Sequence, residues 1–215
     1  LRMTVSTQGL PLQWMSLVKR RLPDFPIDQL DGEATVQADV EYTGPQALTA
    51  FVKTAQLDRL RIAAPSMLGE RGAGIEQIRL SGDISWFQNR ISTNSSKLEC
   101  DFGTVVSKAN IAIPSKLPAW NRPWLEDSEF DVQGTIDLPR LVAVAPDLLK
   151  TQDQVRLLAG NATLSLSQNR GEAGPEAGGI PSSSYQVKLG NLQADMQGKR
   201  IEWDQALSAG LDVSG

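Results

Sequence analysis

The segment FDVQGTIDLPRLVAVAPDLLKTQDQVRLLAGNATLSL, residues 130–166, predicts a strand, a short helix and a second strand. Apolar residues or glycine occupy every second position over 130–138, with polar residues between them, as in a half-buried strand. Pro139 suits the first turn of a helix, where a missing N–H costs nothing. Alternation then resumes over 160–166. The predicted helix would turn these apolar side chains inward: Leu141, Val142, Ala145, Leu148 and Leu149.

The same alternation recurs along most of the chain, and the dipeptide Gln88-Asn89 predicts a hairpin turn within it. Two further short helices are predicted, one opened by Pro11 over residues 10–22 and one over residues 45–55. The predicted fold class is α+β, mainly β with a few short helices. Strands are expected at residues 34–42, 60–64, 78–86, 91–102 and 187–196.

An internal repeat emerges when the chain is aligned with itself at an offset of about 128 residues. Pro11 then aligns with Pro139, and Gly32 aligns with Gly160. The proline opens a helix and the glycine enters a strand, so the matched positions are ones that set local geometry. The sequence therefore predicts two helix–strand–hairpin repeats.

The whole chain, 1–215, is predicted to form a single elongated repeat domain, with repeat one at about 1–125 and repeat two at about 126–215. Segment 169–184 is rich in Gly, Pro, Ser and Glu with almost nothing to bury, which predicts a mobile loop. Repeated β units of this kind build an extended sheet with one apolar and one polar face.

The composition argues against several function classes. A net charge of -4, a pI near 5.0 and scattered Lys and Arg argue against nucleic-acid binding. The absence of histidine removes the usual general base and the commonest transition-metal ligand. No apolar run approaches the roughly 20 residues of a membrane-spanning helix, and no signal peptide opens the chain. We therefore expect no enzymatic activity, no cofactor and no metal.

Candidate reactive residues have structural explanations. Cys100 lies between Leu98 and Phe102 at strand spacing, which predicts a buried apolar thiol, and a single cysteine cannot form an intrachain disulfide. An enzyme using paired carboxylates is an alternative, but the candidates fall in predicted turns, where aspartate usually caps the backbone. These candidates are Asp24, Asp28, Asp101, Glu126, Asp127 and Asp204.

Three other features have simple interpretations. The basic run at 19–21 would interact with the dipole at the end of the first predicted helix. Trp120 and Trp124 are expected to cover the end of an apolar layer, with ligand stacking as the alternative. The chain starts at Leu1 and stops in strand-like sequence, so we expect an excised or processed module of a longer protein.

The run GTIDLPRLVAVAPDLLKTQDQVRLLAGNATLSLS resembles the repeating unit of AsmA-like and TamB-like proteins of the bacterial envelope. In that family a strand ending in a G-x-I/L-D-L motif leads to a short Leu-rich helix, and a Leu-x-G entry into an alternating strand follows. The segments IRLSGDISWFQNRI and LGNLQADMQGKRIEWDQ are similar to the family's hairpins. The corresponding motif residues here are Gly134, Ile136, Asp137, Leu138, the run from Leu141 to Leu149, Leu158 and Gly160.

The resemblance implies a long, curved, mostly antiparallel sheet shaped like a half-pipe with an apolar concave side. Proteins of this family are implicated in carrying phospholipid across the periplasm between two membranes. The implied location is the periplasm or cell envelope of a Gram-negative-type bacterium, with membrane association through parts outside this sequence. The implied partners are phospholipid acyl chains and either the remainder of a longer chain or an envelope protein.

The candidate lipid-facing residues are alternating apolar side chains of the predicted strands. The alternative is an ordinary core, in which the same alternation fills a closed sandwich or a sheet covered by helices. A second alternative is a structural or adaptor β-domain that binds a protein through a sheet edge. The lipid-facing candidates are Val36, Ala38, Val40, Ile78, Leu80, Ile84, Trp86, Val132, Ile136, Leu164, Leu166, Leu189 and Met196.

Overall fold

The computed structural model describes residues 1–15, 27–44, 47–112, 128–148, 155–169 and 182–213. Most of these residues belong to strands, which confirms the predicted mainly antiparallel β fold. The strands are β1 (Arg2–Pro11), β2 (Gln29–Gly44), β3 (Ala47–Ala63), β4 (Ala73–Phe87), β5 (Arg90–Cys100), β6 (Gly103–Ala112), β7 (Glu129–Asp137), β8 (Val155–Asn169), β9 (Ser182–Met196), β10 (Lys199–Glu202) and β11 (Leu207–Val213). The described helices are a 3-10 turn (Leu12–Met15), α1 (Pro65–Leu68) and α2 (Leu138–Val144).

The described strands form one open, curled sheet in which each strand pairs antiparallel with the next along the chain. Short connections suffice for this meander because successive antiparallel strands can be joined by hairpins. β10 pairs with residues 193–196 of β9, and β11 pairs with residues 183–189 of β9. These two short strands therefore lie end to end and share the tenth strand position of the sheet. Among the described strands, β1 therefore forms one edge of the sheet and β10 with β11 forms the other.

The predicted hairpin turn at Gln88-Asn89 is confirmed. Gln88 and Asn89 have φ angles of 45° and 62°, the left-handed pair that a two-residue hairpin turn needs. They join β4 to β5, with Phe87 opposite Arg90.

The predicted strand–helix–strand unit is confirmed as β7, α2 and β8. The carboxylate of Asp137 caps α2 by accepting a hydrogen bond from the Arg140 backbone N–H at 2.9 Å, and a proline occupies the first turn. Leu138, Leu141 and Ala145 are buried as this face packs on the sheet. Leu148, predicted to point inward, is instead exposed, and residue 149 lies outside the described residues.

The helix predicted over residues 45–55 is wrong, because residues 47–63 form strand β3. Leu48 and Val52 are four residues apart, a spacing that fits one face of a helix or one face of a strand. Pairing with β2 on one side and β4 on the other decides for the strand. Phe51, which a helix would place beside Leu48 and Val52, is 54% exposed on the opposite face.

The helix predicted over residues 10–22 begins later than expected. β1 continues through Pro11, where an edge strand tolerates the missing N–H, and only Leu12–Met15 then forms a 3-10 turn. Leu12 is the buried residue, at 4% exposure, whereas Leu10 pairs with Ala34 in the sheet. Residues 16–26, which include the predicted basic run, lie outside the described residues.

Two buried clusters lie at the end of the sheet where these helical segments pack. The first cluster centres on Leu12, Ala34, Leu60 and Ile75. The second centres on Leu138, Leu141 and Ala162, and Phe102 packs against both. The sheet is thus covered at one end.

Three predicted loop and aromatic features fall wholly or partly outside the described residues. β8 extends to Asn169 and β9 begins at Ser182, so both strands reach into the margins of the predicted loop at 169–184. Positions 170–181 lie outside the described residues, as do Trp120 and Trp124.

Gly32 and Gly160, aligned by the sequence offset, both have positive φ angles, 139° and 153°. Both interrupt the strand register, Gly32 between β2 and β3 and Gly160 between β8 and β9. These glycines therefore allow irregularities that most other residues would strain.

We predict that Gly32→Ala lowers the free energy of unfolding by about 1–3 kcal/mol, because a side chain is strained at this φ. Its Cβ would also lie 2.9 Å from the Asp58 carbonyl oxygen. Gly74→Ala is the matched control, since its Cβ would meet nothing within 4 Å. Urea unfolding followed by circular dichroism measures both variants. Equal effects of the two substitutions would contradict the proposed role of Gly32.

Candidate functional site

One face of the sheet carries apolar side chains in rows that cross all ten strand positions. Residues opposite each other in an antiparallel pair point to the same face, so the register alone defines each row. Only the first member of the central row is polar. The central row is Thr7, Val36, Ala55, Leu80, Leu98, Val105, Gly134, Leu164, Val187 and Ala209.

A second row lies nearer the helix-covered end and contains only apolar residues, cysteine and glycine. Its members are Leu10, Ala34, Leu57, Ile78, Cys100, Gly103, Ile136, Ala162, Leu189 and Leu207. A third row on the other side is apolar except for two serines and a tyrosine. Its members are Val5, Ala38, Val52, Gly82, Ser96, Ser107, Val132, Leu166, Tyr185 and Leu211.

The opposite face is polar along the same strands. One row there contains no apolar residue, and its members are Thr35, Gln56, Arg79, Glu99, Thr104, Thr135, Thr163, Lys188 and Ser208. Neighbouring strands are about 4.8 Å apart, so each ten-strand row extends roughly 43 Å along the sheet. The sheet therefore has one extended apolar face, here called the apolar face, and one polar face.

The structure brings the predicted lipid-facing residues together on the apolar face. Val40 and Ile84 both pair with Ala50, which places them one row beyond the third row, and Trp86 follows Ile84 at strand spacing. Met196 pairs with Val155 at the far end of β9 and is 44% exposed. The remaining candidates stand in the three rows: Val36, Ala38, Ile78, Leu80, Val132, Ile136, Leu164, Leu166 and Leu189.

Much of the apolar face remains partly accessible. Ala38 is buried, but larger residues on the same face, among them Leu80, Trp86 and Leu164, are only half-buried. All described strands belong to one sheet, so the described residues supply no second sheet to cover this face. A closed core would bury such side chains almost completely. The described part of the apolar face is therefore not a closed sandwich core.

Beside β8 and β9, a small group of buried polar residues follows the apolar rows at the end opposite the helical segments. The Gln168 side-chain amide donates to the Ser128 carbonyl oxygen at 2.8 Å, and the Ser183 hydroxyl donates to the Gln168 side-chain oxygen at 3.2 Å. In the third row the hydroxyl oxygens of Ser96 and Ser107 are 2.6 Å apart. These polar groups satisfy one another, and Ser128, Gln168 and Ser183 are themselves buried, so the accessible part of the face stays mainly apolar.

Sequence reasoning missed the contribution of the central strands to this face. The predicted lipid-facing residues include none from β5 or β6, yet Leu98 on β5 and Val105 on β6 belong to the central row. Alternation around Leu98 was a usable signal, whereas the glycine and serine positions of these strands diluted it. Cys100 packs with the first cluster, half-buried, and its Sγ lies 3.5 Å from the Gly103 carbonyl oxygen.

Of the carboxylates considered for catalysis, Asp101 has a structural role. The Asp101 carboxylate accepts hydrogen bonds from the backbone N–H groups of Glu76 at 2.6 Å and Gln77 at 3.2 Å. Asp204 lies between β10 and β11, and Asp28 precedes β2, while the other candidates fall outside the described residues. Across the described ranges, no group of three or more acidic or cysteine side chains is arranged to hold a metal ion.

Two aspartates are part of hydrogen-bonded networks at the sheet surface. Side-chain amides of Gln77, at 3.1 Å, and Gln56, at 2.7 Å, donate to Asp58 and lower the pKa of its carboxyl group. Hydrogen bonds from Lys53 at 2.8 Å and from Thr4 lower the pKa of Asp39. Both networks connect neighbouring strands and therefore help to fix the register.

Lowering the pH is predicted to reduce stability through Asp58. Its pKa is lower in the folded state than its usual 3.8, so its contribution is present above that value and is lost as the pH falls through the folded pKa. Urea unfolding from about pH 5 to about pH 2.5 should show a smaller loss of stability in Asp58→Asn than in the wild type. Identical pH dependence in the two proteins would contradict this role.

No family model matches the chain, and no curated protein or solved structure matches it. Within the described residues, no helix has both the length and the hydropathy needed to cross a membrane. The site therefore has to be interpreted from its own geometry.

Proposed function

We propose that this chain is a lipid-binding or lipid-conducting β-groove module of an AsmA-like envelope protein, involved in phospholipid transport or outer-membrane homeostasis. The observation that carries the proposal is the set of apolar rows crossing ten strand positions on one half-accessible face. The motif resemblance around Gly134 and Gly160 supports the same assignment.

Acyl chains are chemically suited to such a surface. Each methylene moved from water onto it gains roughly 0.8 kcal/mol, and the gain accumulates over an acyl tail. No single side chain has to provide high affinity, because the contact is spread over three rows.

The groove proposal requires that the curl of the sheet places the apolar face on the concave side. Small residues on that face support this, because side chains converge inside a curved sheet. A Cβ at Gly134 would lie 3.3 Å from Val105 Cγ2, so the neighbouring side chain already occupies the space above it. The paired irregularities at Gly32 and Gly160 support two repeats as the source of the curl.

The proposed module is non-catalytic and needs no cofactor or metal. It would act in the periplasm or cell envelope of a Gram-negative-type bacterium. Its membrane association and remaining partners would come from the rest of a longer chain or from an envelope protein. The proposed lipid contact is spread over three mainly apolar rows and therefore involves no compact site.

The proposal predicts that phospholipid co-purifies with the protein from a membrane-containing host. Leu164→Asp and Ile84→Asp should each reduce the lipid-to-protein ratio roughly tenfold or more, because a carboxylate against acyl chains is strongly unfavourable. Mass spectrometry of the extracted lipid, normalised to protein, measures this ratio.

Thr163→Asp is the matched control, since residue 163 neighbours Leu164 but points to the polar face opposite Lys188. It should keep the wild-type lipid content, and circular dichroism should show that all variants are folded. A wild-type protein without bound lipid, or equal lipid in Leu164→Asp and Thr163→Asp, would overturn the groove proposal.

A structural or adaptor β-domain that binds a protein through a sheet edge is the second candidate. The observation in its favour is that apolar side chains at both edges are exposed, among them Met3 on β1 and Leu211 on β11. Unpaired edges offer backbone groups to another strand. This candidate predicts that Leu164→Asp binds the protein partner as the wild type does. The lipid-binding proposal instead predicts a loss in the same variant.

A further inference from the structure

Among the described strands, β1 pairs only with β2, and its other edge presents backbone hydrogen-bonding groups. Leu1 and Tyr42 exchange two hydrogen bonds of 2.8 Å, with each N–H donating to the other's carbonyl oxygen. In an antiparallel pair the next residue points its backbone groups the other way, so the N–H groups of Arg2, Thr4 and Ser6 face outward. This edge can accept a further strand without losing any existing bond.

The opposite edge has the direction that such a strand requires. The meander has ten strand positions, so β11 in the tenth runs antiparallel to β1 in the first. A β1 strand from a second copy, placed beside β11, would therefore continue the alternating pattern. An odd number of positions would instead have made that junction parallel.

The side chains of the two edges also match. Leu1, Met3 and Val5 lie on the apolar side of β1, and Leu211 and Val213 lie on the apolar side of β11. These residues are exposed, and Leu211 reaches 60%. Pairing the two edges would join the apolar rows of two copies and cover these side chains.

The charges at the two edges are complementary. Arg2, whose Nε lies 3.1 Å from Glu41 Oε1 on β2, is the only charged side chain of β1, and Asp212 is the only one of β11. With Met3 opposite Leu211, the pairing places Arg2 directly opposite Asp212 on the polar face. Opposite charges in that position stabilise a strand pair, whereas like charges would destabilise it.

We propose that copies of this chain associate head to tail, with β11 of one copy pairing antiparallel with β1 of the next. The junction is heterologous, so it leaves one free β1 edge and one free β11 edge and can be repeated. The result is a longer sheet with a continuous apolar face. This inference rests on the edges alone and holds whether or not the apolar face binds lipid.

Sedimentation velocity over a range of protein concentrations tests the association. The weight-average mass of the wild type should rise from the 23.3 kDa monomer to at least twice that value. Ser6→Pro removes an outward N–H that has no partner within the sheet, and Leu211→Lys places a charge at the other edge. Each variant alone should form no more than the monomer.

Mixing the two variants provides the sharpest test of the head-to-tail geometry. Ser6→Pro keeps an intact β11 and Leu211→Lys keeps an intact β1, so an equimolar mixture should form one dimer of twice the monomer mass and nothing larger. Val106→Lys, at an exposed position of an interior strand, is the control and should associate like the wild type. Met3→Lys replaces Ser6→Pro if circular dichroism shows that the proline variant is unfolded.

Three results would overturn the proposal. A wild type that stays monomeric at every concentration would mean that the edges pair with something other than a second copy. Dimerisation of either blocked variant alone would indicate pairing between identical edges. A mixture that stays monomeric would exclude a junction between β11 and β1.

Discussion

The alignment of cross-strand pairs across the whole sheet is the constraint on which the remaining structure depends. Most strands alternate between apolar and polar residues, but alternation in one strand says nothing about its neighbour. The register has to bring Leu80 opposite Leu98 and Leu164 opposite Val187 before a common apolar face exists. A slip by one residue at any pair would place apolar side chains on the polar face and break the rows.

Glycines and polar side chains help to maintain the cross-strand register where the strands are irregular. Gly32 and Gly160 adopt positive φ angles at the register shifts, which confines the irregularity to single positions. The Asp83 carboxylate accepts hydrogen bonds from the backbone N–H groups of Asn94 and Ser95 at another shift, between β4 and β5. These local irregularities allow a long sheet to curl while each side chain stays on the same face of the sheet.

Local sequence signals predicted the elements whose structure is decided locally. The unit β7–α2–β8 was predictable because its helix has a capping aspartate and a proline in the first turn. β3 was not, because Leu48 and Val52 suit either a helix or a strand and only pairing with β2 and β4 decides between them. The apolar face was partly predictable from alternation, but its accessibility depends on all described strands belonging to one sheet, which is a non-local property.

The apolar residues of this sheet differ from those of an ordinary β-domain in how completely they are buried. In a closed sandwich they would stabilise the fold by mutual burial, whereas here many remain half-accessible in rows about 43 Å long. The buried clusters at the helix-covered end stabilise the module, and the rest of the face is available for a ligand. In the proposed function, folding and binding would use different parts of one surface.

Photo-crosslinking with a phospholipid that carries a photoactivatable group on its acyl chain tests the central claim most directly. Tryptic mapping by mass spectrometry locates the labelled residues. The account predicts crosslinks to apolar-face residues such as Leu80, Leu98 and Leu164, with their polar-face neighbours Arg79, Glu99 and Thr163 unlabelled. Labelling of the polar face alone, or no saturable labelling of either face, would contradict it.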